Sequence, residues 1–139
     1  MNQELGTRQL LPGTANSGSV FRLDGEYWTI AYDGVVCRLR DSAGLRYIAH
    51  LLRRPGEKVA AVQLARAAYK ASGRMAQRRL ATTHDTELAR VKTTRSIRAA
   101  MQRIGTHNAA LIEHLRATIK TGTFCSYTPD PRLPVEWEV

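Results

Sequence analysis

The order of predicted elements makes this 139-residue chain an α+β domain, with three short strands, a helical middle and a return to strands. Three observations carry that reading. Asp24-Gly25 and Asp33-Gly34 each separate runs rich in β-branched and aromatic residues, a strong local sign of hairpins. From Leu45 to Leu115 the apolar residues recur at intervals of three and four, as helices require. After Thr118, β-type residues come back around Gly122. With 43% hydrophobic and 24% charged residues, a single cored domain is expected over 19–139. Residues 1–18, with Gly6, Pro12, Gly13, Asn16 and Gly18 and no sustained period, read as a flexible arm.

The meander comprises Val20–Leu23, Glu26–Ala31 and Val35–Leu39. Asp41 or Ser42 caps a first helix carrying Leu45, Ile48, Ala49, Leu51 and Leu52, and Pro55-Gly56 ends it. Lys58-Val59 is extended, and a second helix runs near Ala61–Ala71 towards a stop at Gly73. Residues 74–86 have weak periodicity and read as a connector. A third helix covers about Glu87–Ile104 and a fourth about Asn108–Ala117. Thr118–Tyr127 then makes a hairpin turning at Gly122, before a tail that Pro129, Pro131 and Pro134 keep extended. This layout is that of a winged helix-turn-helix, in which the third helix enters the DNA major groove and the hairpin, the wing, meets backbone or minor groove.

Charge points the same way. Between Arg46 and Arg103 there are fourteen Lys and Arg against three acids, whereas the rest of the chain has seven against nine. The whole +9 excess therefore belongs to the helical part, and concentrated cationic charge on helices suits a polyanion such as nucleic acid. On the third helix, Ile97, Met101 and Ile104 fall within about 60° of arc, with Lys92, Arg95, Ala99, Gln102 and Arg103 opposite and Arg98 flanking. Arg and Gln can read guanine and adenine edges, and Lys meets phosphates. The expected base-reading set is Lys92, Arg95, Arg98, Gln102 and Arg103, with Arg90, Thr93 and Thr94 anchoring phosphate. Arg66, Lys70 and the wing, through Lys120 and Arg132, add backbone contacts.

Other chemistries find less support. His50, His84, His107 and His114 have no metal-ligand spacing, so neither metal nor cofactor is expected. No phosphate-binding loop, nucleophile elbow or paired acid and base is present, and the chain is read as a non-enzyme. Cys37 and Cys125 read as free core thiols. Trp28, Tyr27, Tyr32 and Tyr127 suit packing or a dimer contact better than base stacking. No apolar run spans a bilayer and no secretion signal opens the chain, so a bacterial-type cytoplasmic, nucleoid-associated setting is expected.

Residues 20–137 also resemble known domains. The meander leading into LRDSAGLRYIAHLLRRPGEKVAAVQL looks like the winged-helix effector domain of OmpR-type response regulators. GEYWTIAYDG, LRDSAGLRYIAHLL, RVKTTRSIRAAMQRI and TIKTGTFCSYTPDP resemble a winged-helix-like domain at the C-terminus of large bacterial ATP-binding regulatory proteins. The chain departs from these in lacking ATPase and receiver motifs, in a short segment over 73–88, and in a hairpin without the Gly-x-Gly-Tyr pattern. The resulting expectation is a transcription regulator that binds specific double-stranded DNA as a homodimer, through its meander or arm. The alternative weighed against it is a winged-helix module binding a partner in the transcription machinery, with RNA or ribosome binding third.

Overall fold

A computed structural model of the protein describes residues 18–71 and 83–139, with backbone alone at 68–71 and 83–85. Most of the expected arm, Gly73, and residues 74–82 of the expected connector lie outside the described residues. The chain is α+β. Strands β1 (Ser19–Asp24), β2 (Tyr27–Tyr32) and β3 (Val35–Arg40) precede helix α1 (Ala43–Leu52), strand β4 (Val59–Ala60) and helix α2 (Ala61–Ala71). Helices α3 (Thr83–Gly105) and α4 (Ala109–Thr118) follow, then β5 (Ile119–Lys120), β6 (Phe124–Tyr127) and β7 (Trp137–Glu138).

Local chemistry explains most of these boundaries. Asp33 and Gly34, with φ of 53° and 82°, form the two-residue loop joining Tyr32 to its partner Val35, the turn geometry that matches strand twist. Ser42 caps α1 by accepting from the Leu45 amide at 3.4 Å. Asp41 does something else. It accepts from Trp28 Nε1 at 2.8 Å and from Arg46 Nε at 3.1 Å, tying the meander to the first turn of α1. Asn108 caps α4 through the Leu111 amide at 3.0 Å, and its Nδ2 donates to the Tyr32 carbonyl at 3.0 Å.

Two sheets result, ordered β3-β2-β1-β7 and β4-β6-β5. The second holds the closing hairpin against the corner between α1 and α2, with the Gly56 amide donating to the Tyr127 carbonyl at 2.7 Å and the Ala61 amide to the Thr123 carbonyl at 2.9 Å. Between the sheets and helices lies one core, including Phe21, Ile30, Leu45, Ile48, Leu64, Ile97, Ile104, Leu111 and Leu115, all fully buried. Two features depart from expectation. The tail is not merely extended, because Trp137 and Glu138 pair parallel with Ser19 and Val20. Helix α3 begins at Thr83 rather than Glu87, so part of the expected connector is helical.

Trp137 also completes an aromatic cluster that joins both sheets to α4. Its ring stacks on Tyr32, which stacks in turn on His114. Trp137 Nε1 donates to Tyr127 Oη at 3.1 Å, which leaves the Tyr127 hydroxyl proton for His114 Nε2 at 2.8 Å. That arrangement requires a neutral imidazole, and burial holds His114 below the usual histidine value of 6.5. His50 is lowered as well, first by burial and then by Arg54 and Arg53. Both groups are neutral in folded and unfolded chains well above that value, so their contribution is complete there. As pH falls through about 6.5 the unfolded chain takes up protons first, and stability is lost. Thermal melts should show Tm falling between about pH 7 and pH 5, with a shallower fall in His114→Gln. An unchanged slope in that variant would remove His114 from the account.

Candidate nucleic-acid interface

Helix α3 buries Thr93, Ile97, Ala100 and Ile104 and turns the opposite face outward. That outer face carries Lys92, Arg95, Arg98, Ala99 and Gln102, all exposed. Among the described residues none of these cations has an ion pair, and the acids that do pair are taken by other cations. Asp24 and Glu138 hold Arg22, Glu26 holds Arg40, Asp41 holds Arg46, and Asp130 holds Arg132. A polyanion approaching α3 therefore meets cationic charge without first displacing an internal partner.

Not every expected contact residue joins this face. Arg90 lies at its edge, paired with Glu87 at 3.0 Å, and the Arg90 guanidinium lowers the Glu87 carboxyl. Thr93 is fully buried, so it has no surface to offer a phosphate. Thr94 is half-buried with its hydroxyl oxygen enclosed, and among the described residues neither threonine hydroxyl has a hydrogen-bond partner. Arg103 is half-buried and spans to the meander, donating from its guanidinium to the Arg40 carbonyl at 3.0 Å. It is thus a strap between α3 and β3 more than a base reader. Arg66 is exposed on α2 but lines a separate cleft with His50, Arg54 and Lys58. Lys120 is exposed on β5, and Arg132 is held by Asp130. The Lys70 side chain lies outside the described residues.

Thr93→Val tests the burial directly. Valine keeps the shape and removes an oxygen that is out of water and unpartnered among the described residues, so stability should rise by about 1 kcal/mol in denaturant melts, with nucleic-acid affinity unchanged. A loss of affinity in a fully folded variant would return Thr93 to the interface.

Among the described residues, two grooves run along the outer surface of α3. One is shallow and runs past Val91, Thr94, Arg95 and Ala99 to Arg98 and Gln102. The other, of about 470 Å³, takes up Arg98 and Gln102 again and continues over Met101, Ile112, Arg116, Ile119 and Thr121. The groove thus carries the cationic face on to Arg116 of α4 and ends against uncharged residues of the hairpin. Arg116, exposed on α4, was not anticipated from the sequence. Its only sequence signal is its place one turn beyond Ile112, on the edge of the α4 apolar stripe. Cys37 and Cys125 are free thiols, half-buried and buried, and burial raises both. Among the described residues no three His, Cys, Asp or Glu side chains converge as a metal site would need. Nor is any described helix long and apolar enough to cross a membrane. Comparison with protein-family models, curated proteins and solved structures finds no match for this chain.

Proposed function

We propose that the protein is a sequence-specific, double-stranded DNA-binding regulator of transcription with a winged-helix architecture. The observation that carries this reading is the outer face of α3, where Lys92, Arg95, Arg98 and Gln102 are exposed and unopposed by carboxylates among the described residues. Arg95, Arg98 and Gln102 supply the base-edge donors, and Lys92 meets phosphate. The small Ala99 lets the helix approach the duplex closely.

The topology supports the same reading. A short strand between the first two helices pairs with the closing hairpin in the order β4-β6-β5, which is the connectivity a wing needs. The helix that leads into the hairpin is α4, so α3 acts beside the wing instead of feeding it. The groove linking Arg98 and Gln102 to Ile119 and Thr121 favours a shared DNA-facing surface. Arg66 with Arg54 and Lys58, and Lys120 on the hairpin, serve as outlying phosphate contacts. A monomer of this size reads a short site, and a second copy added at the exposed edge strand β3, where Val36 is 66% exposed, doubles it. Such a protein works at the chromosome, in the bacterial cytoplasm.

The test is selection of bound fragments from genomic DNA followed by footprinting. Protection of one recurrent sequence, abolished by Arg95→Glu with Arg98→Glu, is the expected result. Uniform protection without sequence preference would refute the specific reading.

A further inference from the structure

The groove between α3, α4 and β5 has a composition that a DNA duplex leaves unused. Its floor is aliphatic, built from Met101, Ile112 and Ile119, while Arg98 and Arg116 stand along it and Gln102 adds an amide. Among the described residues no carboxylate lines it and neither arginine has an ion pair. Phosphates would satisfy the two guanidinium groups but leave the floor facing water. A ligand with carboxylates flanking aliphatic side chains satisfies both at once. Through Arg98 and Gln102 the groove runs into the shallow one beside Val91 and Ala99. From Val91 to Gln102 the helix extends about 16 Å, the length of about three helical turns.

We propose that this trough is the docking site for an acidic amphipathic segment of a partner protein, with Asp or Glu on one face and Leu- or Ile-like side chains on the other. The assignment stands without the DNA-binding reading, since it rests on the floor as much as on the charge. Where DNA binding holds, the shared Arg98 and Gln102 make the two ligands mutually exclusive, and the segment acts as an inhibitor.

The probe is a fluorescent peptide of about 15 residues with Glu and Leu at helical spacing, titrated with the full chain at about 0.15 M salt. Its control replaces every Leu by Ser at unchanged charge. The Leu peptide should bind at least about tenfold more tightly than the control. Arg116→Glu, an exposed change, should weaken it by at least about tenfold, and Met101→Gln by about threefold with charge conserved. Arg132→Glu, whose side chain is 88% exposed and held by Asp130, should change nothing. Equal binding of the two peptides, or an Arg116→Glu variant that binds like the parent, overturns the proposal. Peptide binding that persists while a duplex of equal charge fails to bind supports it, and refutes DNA binding separately.

Discussion

Gly44→Ala should destabilise the protein by about 3 kcal/mol or more, although alanine in an isolated helix would gain about 1 kcal/mol over glycine. Gly44 sits in the first turn of α1, and a Cβ built there would lie 2.0 Å from the Ser96 carbonyl oxygen, 2.7 Å from its carbon and 2.8 Å from Ala100 Cβ. The first two contacts are to backbone, which has no rotamer to yield, so α1 and α3 would have to separate. Separation opens the core around Leu45, Ile48, Ile97 and Ile104 and loses packing along its length. Shortening Ala100 to glycine relieves only the 2.8 Å contact, so the double variant should remain far below the parent in denaturant midpoint. Full recovery in that double variant, or a single variant as stable as the parent, would show that the helices do not cross this closely.

That crossing also explains which parts of the molecule were legible in the sequence. Turns and caps are local chemistry, so Asp33-Gly34, Ser42 and Asn108 announce the meander and the starts of α1 and α4 without reference to the rest of the fold. Strand β7 is two residues long and exists only by pairing with β1, more than a hundred positions earlier, which no local pattern encodes. The orientation of α3 was legible in outline. Its apolar residues centre the buried stripe near Ile97 and Met101. The stripe observed is turned by about 40° towards Thr93 and Ala100, leaving Met101 half-buried. Gly44 is compatible with this orientation, because without a Cβ it lets α1 lie close against Ser96 and Ala100. The same rotation carries Thr93 into the core and Arg103 to the boundary, where it reaches the Arg40 carbonyl. It leaves Arg95, Arg98 and Gln102 outermost. Arg116 was missed because its relevance depends on how α4 folds back beside α3, a tertiary fact.

If α3 is the reading helix, reversing Arg95 and Arg98 together should weaken binding to the selected duplex by at least about a hundredfold. The loss should fall mainly on sequence preference, because these arginines face base edges, whereas Lys92→Glu should lower the log–log salt slope by about one. Both side chains are exposed and make no ion pair among the described residues, so the fold should tolerate the change. Net charge changes as well, and a protein carrying +9 attracts DNA from every side. The control is therefore Arg38→Glu with Arg132→Glu, which shifts the total by the same amount from the meander and the tail. Arg38 lies over the Tyr27 ring on the sheet and Arg132 is held by Asp130, so neither belongs to the outer face of α3. A focused interface predicts a small loss in this control, on the order of a few-fold, because charges more than a Debye length of about 8 Å from the duplex are screened. Comparable losses in the two double variants would mean that the attraction is diffuse and that α3 has no special claim on the duplex.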